Sequence, residues 1–166
     1  MVLGLSLSTF TLLHVILSLA GIVAGIVVIF GMLGSNRLPG WTALFLVSMV
    51  LTDVTGFFFP VAALLPSHIV GIISLMALMM AIIALYLYRL HGAWRGLYVG
   101  AVGLALYLDV FVGVVQAFQK LSFLRPLAPT QSEPPFLGAQ IVVLVLFIAL
   151  GVAAARRFHP RTRALA

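Results

Sequence analysis

Five long apolar stretches take up most of the chain, at about residues 9–33, 41–60, 68–89, 96–119 and 137–156, and none alternates polar with apolar positions. Each is near the roughly 20 helical residues that cross a bilayer core about 30 Å thick, where a backbone must satisfy its own hydrogen bonds. The absence of period-two alternation argues against a barrel, whose strands read polar and apolar in turn. The expected fold is an all-α integral membrane protein, one domain over 1–166, built as a bundle of five transmembrane helices.

Composition supports this reading. Of 166 residues, 64% are hydrophobic and 7% charged, far from the balance of a soluble domain. Cysteine is absent, which excludes disulfides, thiolate metal sites and thiol nucleophiles. The opening "MVLGLSLSTFTLLHV" has no basic segment ahead of its apolar run, so it is expected to remain as the first helix.

The breaks between runs are "GSNRLPGW", a turn over Pro60, Pro66, Ser67 and His68, "RLHGAWRG", and a proline-rich stretch at 120–136. Basic residues gather on alternate connections. Arg37, the pair Arg89 and Arg95, and the C-terminal Arg156, Arg157, Arg161 and Arg163 fall on one side; Lys120 and Arg125 fall on the other. The bias places the N-terminus outside and the C-terminus in the cytoplasm. Spread along helix ends in this way, the basic residues signal orientation and lipid contact, and no nucleic-acid partner is expected. The 120–136 segment becomes an outer loop, which four prolines make stiff and extended. It is read as a lid, a docking surface for a protein partner, or a plain spacer.

Two acids interrupt the apolar runs. Asp53 stands 12 residues beyond Trp41 and Asp109 stands 12 beyond Leu97, which at about 1.5 Å per residue puts both roughly 18 Å from the inner surface. A carboxylate at that depth is costly unless paired, hydrated or protonated, so it is a functional-site hypothesis by default. His14, on the first helix, is the natural partner for proton exchange. The first helix carries Ser8, Thr11, His14, Ser18, Gly21 and Gly25 at spacings of three and four, and the fourth carries Asp109, Gly113, Gln116 and Lys120. Gly21 with Gly25 and Gly96 with Gly100 are GxxxG pairs that favour close helix packing and, less directly, a homo-oligomer.

At "LPGWTALFLVSMVLTDVTGFFFP", "LYLDVFVGVVQAFQK" and "LAPTQSEPPF" the chain resembles small uncharacterised inner-membrane proteins of bacteria. The resemblance implies a multi-pass location in the bacterial cytoplasmic membrane and carries no activity.

Two functions from different classes are open. One is a small transport or channel protein whose outer-half cavity, lined by His14, Asp53, Asp109 and Gln116, handles protons or a cation beneath the 120–136 loop. The other is a non-catalytic scaffold that presents that loop to a partner, with the acids serving helix packing. A third reading has His14 and His68 as axial ligands of a b-type haem, since they stand on different helices on one side; no other cofactor is expected. No nucleophile with a positioned base is visible: Ser18 lies one helical turn from His14, which is the spacing of a packing contact.

Overall fold

The computed structural model describes residues 2–60 and 66–160. Five α-helices run in sequence: α1 (Leu7–Leu33), α2 (Pro39–Gly56), α3 (Pro66–Ile82), α4 (Trp94–Lys120) and α5 (Pro134–Arg157). A π-helical turn, Ile83–Leu87, prolongs α3, and a single 3-10 turn, Arg125–Leu127, interrupts the α4–α5 connection. Four of these helices are long and apolar enough to cross a membrane. The fifth, α2, is the 18-residue helix that carries Thr42, Ser48, Thr52, Asp53 and Thr55.

All five helices begin two or three residues before the apolar runs suggest, and three of them begin on a proline: Pro39, Pro66 and Pro134. A proline lacks the N–H that the first turn would leave unbonded and has its φ already set for a helix, so here it starts the element it seemed to precede. The second helix, in contrast, ends at Gly56 rather than near 60, because the backbone before Pro60 is pushed out of the helical region. The hairpin expected between Pro60 and Pro66 involves residues 61–65, which lie outside the described residues, as do Arg161 and Arg163.

Tight packing is confined to one half of the bundle. Ala24, Val28 and Met32 of α1 meet Phe45 and Met49 of α2, Leu78 and Ala81 of α3, and Tyr98, Val102 and Leu106 of α4, and all are essentially inaccessible. Glycine permits the approach of the first two helices. A Cβ on Gly25 would lie 2.7 Å from Leu106 Cδ1 and 2.9 Å from the Phe45 ring, and one on Gly21 would lie 2.7 Å from Met49 Sδ. Gly96 and Gly100 have no atom within 4 Å of such a Cβ. That second glycine pair is therefore not a packing seam within the chain, because α4 turns its other face, through Val99 and Val102, to the core.

Beyond Leu106 the packing loosens. From Tyr107 to Val115 every residue of α4 is half-buried, whichever way it points, so the helix has no fully covered face there. A second, small cluster closes the end: Phe118 of α4 meets Phe136 of α5 edge-on at 5.5 Å, and Ala128 of the loop is buried in the same cluster.

The 120–136 connection is folded rather than extended. Glu133 caps α5, and its carboxylate accepts from the Thr130 amide (3.0 Å), the Thr130 hydroxyl (2.9 Å) and the Ser132 amide (3.1 Å). The Gln131 side-chain amide donates to Val115 O at 3.3 Å, fastening the loop to α4. Desolvation pushes the Glu133 carboxyl up, but the Thr130 and Ser132 donors outweigh it and hold it below the usual carboxylate range. A carboxyl lowered on folding supports the folded loop above its ordinary pKa, and that support goes as pH falls through the lowered value. Amide protection at Thr130 and Ser132 is therefore expected to be full near neutral pH and to be lost as acid takes the pH below the ordinary carboxylate range. Glu133→Gln is expected to show the low-protection state at neutral pH as well. Hydrogen exchange on the detergent-solubilised protein checks both.

Candidate polar site across four helices

The loosened half of the bundle holds the polar groups. His14 and Ser18 stand one turn apart on α1, so they point the same way, and each reaches a different neighbour. His14 Nδ1 lies 2.8 Å from Thr55 Oγ1 of α2, and the Ser18 hydroxyl donates to Asp109 Oδ2 of α4 at 3.0 Å. The His14 ring is seated edge-on against Phe59, centroid to centroid 5.1 Å, with Gly56 leaving room beside it.

The Thr55 hydroxyl has one proton and stands within reach of Leu51 O at 2.7 Å, Thr52 O at 3.1 Å and His14 Nδ1 at 2.8 Å. With that proton on Leu51 O, as is common for a helical threonine, His14 Nδ1 donates to Thr55 and Nε2 is left as the ring's acceptor; with it on His14 Nδ1 the roles reverse.

Asp53 sits on α2, two residues before Thr55. Ser74 of α3 is the hydroxyl that bears on its carboxylate, and Asp109 is near enough for its charge to act on it. No hydrogen bond closes the gap to Ser74: Asp53 Oδ2 and Ser74 Oγ are both buried without a partner, as is Thr52 Oγ1 of the same turn. An unpartnered buried oxygen costs about 1–3 kcal/mol, and a proton on Asp53 or a water beside it and Ser74 would relieve that cost.

Not every expected member is present. Gln116 is exposed and lies outside the group. The membrane amide that does enter the interior is Gln140 of α5, whose Nε2 donates to Phe111 O at 3.2 Å while its Oε1 is buried without a partner. His68 is buried against Phe57, ring to ring 5.5 Å, and His14 is committed to Thr55. Among the described residues no three of His, Cys, Asp and Glu gather as a metal-holding group. Lys120 is near enough for its charge to act on His14. The loop expected to cover the group packs instead on α4 and α5, through Val115, Phe118 and Phe136.

Comparison of the chain with protein-family models, with curated proteins and with solved structures finds no match in any of the three. A function is therefore argued from the chemistry of the site alone.

Proposed function

We propose that the protein is a small proton-handling membrane protein of the transport or channel class, working through His14, Thr55, Ser18, Asp109 and Asp53. All five helices are read as spans, with the N-terminus outside and the C-terminus in the cytoplasm of a bacterium, as the basic bias and the resemblance imply.

The observation that carries the reading is the pair of bonds from one face of α1: an imidazole to a hydroxyl and a hydroxyl to a carboxylate, one turn apart. Both kinds of bond pass a proton by exchanging donor and acceptor, with no heavy atom moving far. Asp53 supplies a second acid beside Asp109, with an oxygen that has no donor of its own. Protons suit this arrangement better than a coordinated cation, since His14 and Asp109 are each bonded to a hydroxyl of a neighbouring helix and, among the described residues, the ionisable groups do not converge as a ligand set. Access is favoured by α4, whose residues from Tyr107 to Val115 all stay partly accessible.

The test is proton flux in proteoliposomes loaded with a pH-sensitive dye, with potassium and valinomycin clamping the potential. The parent is expected to dissipate a pH gradient faster than protein-free vesicles, and neutralising either acid is expected to slow it. Equal rates for parent, Asp53→Asn and Asp109→Asn would leave the acids with a packing role and the scaffold reading in possession.

A further inference from the structure

The end of the bundle opposite the 120–136 loop carries a second polar feature, distant in character from the proton site and independent of it. Three connections meet there: residues 34–38 between α1 and α2, residues 88–93 between α3 and α4, and the residues that follow α5. They are tied together. The His159 amide donates to Ser35 Oγ at 2.8 Å, Phe158 is buried with its ring 6.0 Å from that of Tyr98, and Arg37 Nη2 lies 3.4 Å from Arg89 O. Between them is a cleft of about 140 Å³ lined by Arg37, Arg89, Arg95, His91 and His159.

Charge at this cleft is one-sided. The chain has three acidic residues, Asp53, Asp109 and Glu133, of which two belong to the proton site and the third is fully engaged at the far loop. No carboxylate side chain is left to neutralise three arginines converging on one hollow. Arg37 in addition holds its Nε buried with no acceptor, a donor whose partner is missing.

The backbone around the cleft is held in uncommon conformations. Ser35, Leu38, Arg89 and Leu90 all have positive φ, between 43° and 63°, and Gly92 has φ 55°. Such left-handed residues cost of order 1 kcal/mol each when they are not glycine, and they persist where surrounding structure fixes them. The π-helical turn Ile83–Leu87 leads directly into this segment, with Leu90 N bonded back to Ala84 O at 2.9 Å, so the extra residue of that turn sets where Arg89 emerges. Arginines serving only as anchors for a membrane surface have no need of a fixed backbone or of a shared hollow.

From this convergence we infer that the cleft is a binding site for a phosphate group. Guanidinium forks match phosphate oxygens two at a time; the Nδ1 atoms of His91 and His159 already face the Tyr88 and Arg157 carbonyls, so each ring can donate to the anion through Nε2 only when it carries both protons. The volume holds one such group: a water's share of liquid is roughly 30 Å³, so the cleft takes a few waters or one phosphate, and no large solute. The phosphate belongs either to a lipid headgroup or to a free anion in the aqueous phase, and the chemistry of the cleft is common to both.

The experiment uses the full chain. In detergent, inorganic phosphate is titrated by calorimetry; in nanodiscs of phosphatidylcholine with added phosphatidic acid, native mass spectrometry counts the phosphatidic acid retained after delipidation. Arg37→Gln and Arg95→Gln are each expected to weaken the bound probe by about tenfold or more, the usual effect of losing a charge-assisted contact. Arg125→Gln, on the far loop, is expected to bind like the parent. Phosphate binding without lipid retention assigns the site to a free anion, and retention alone assigns it to a headgroup. A parent that takes up neither probe, or arginine variants that bind as it does, overturns the inference. Should the variants fail to fold, the parent decides: phosphate or phosphatidic acid should slow phenylglyoxal modification of Arg37 and Arg95 relative to Arg125, and equal rates with and without the probe reject the site.

Discussion

Asp109→Asn is expected to keep the bundle folded and to lower proton flux by at least about a hundredfold, the scale on which a positioned acid or base acts. Asparagine has the shape of aspartate, and its Oδ1 still accepts the Ser18 hydroxyl that now donates at 3.0 Å, so the α1–α4 contact survives. What it lacks is a proton to gain or lose. Asp109→Ala separates the two roles from the other direction, since it deprives Ser18 of its acceptor as well and should also lower thermal stability in detergent, by about 1–3 kcal/mol. Asp53→Asn gives a different pattern. Asp53 Oδ2 is buried without a donor, and a neutral amide there is easier to bury than a carboxylate, so flux should fall while stability stays level or rises. Ser18→Ala completes the set: if flux survives both it and Asp109→Asn, the proton does not travel by the α1–α4 bond.

The second large effect concerns packing. Gly25→Leu is expected to destabilise the bundle by about 3 kcal/mol or more, the upper range for forcing side chains into a filled core. Its first carbon alone would sit 2.7 Å from Leu106 and 2.9 Å from the Phe45 ring, and both neighbours are held from behind by the core. Gly21 is more forgiving, because the atom in its way is Met49 Sδ, near the end of a flexible side chain. Gly96→Leu and Gly100→Leu start their side chains at a Cβ with no atom within 4 Å, and each should change the stability of the isolated chain by no more than about 0.5 kcal/mol. Thermal unfolding of the four variants in one detergent compares them directly. A loss at Gly100→Leu equal to that at Gly25→Leu would mean that α4 presents its glycine face to something the single chain does not contain.

These contrasts indicate what a sequence of this kind discloses. Length and hydrophobicity marked all five helices, since lipid leaves a backbone few options, and spacing along α1 put His14, Ser18, Gly21 and Gly25 on one face. Residue counting places Asp53 and Asp109 at one level, and the structure bonds Asp109 to Ser18 of α1 while Asp53 stands beside Ser74 of α3. The same count would have found Ser74. It lies eight residues past Pro66, about 12 Å from that end, which matches roughly 18 Å from the other in a core about 30 Å thick, and it is a lone hydroxyl in an apolar run.

Rotation between helices was not legible. Nothing in "GLYVGAVGLALYLD" distinguishes the face that packs through Val99 and Val102 from the glycine face left open, because in lipid both are apolar. For the same reason Gln116 and Gln140 could not be told apart as outward and inward amides. The loop misled for a local reason: four prolines suggest stiffness, but the fold of 120–136 is set by Glu133 gathering three donors and by Ala128 packing into one cluster with Phe118 and Phe136.

The glycine-lined contact between α1 and α2 also has a bearing on synthesis. Both partners of that contact, and both partners of the bond from His14 to Thr55, have been synthesised before α3 is complete, whereas Asp109 follows Asp53 by 56 residues. The first two helices can thus assemble early as a pair. The Ser18–Asp109 bond needs the fourth helix, so it is among the last contacts of the nascent protein to form.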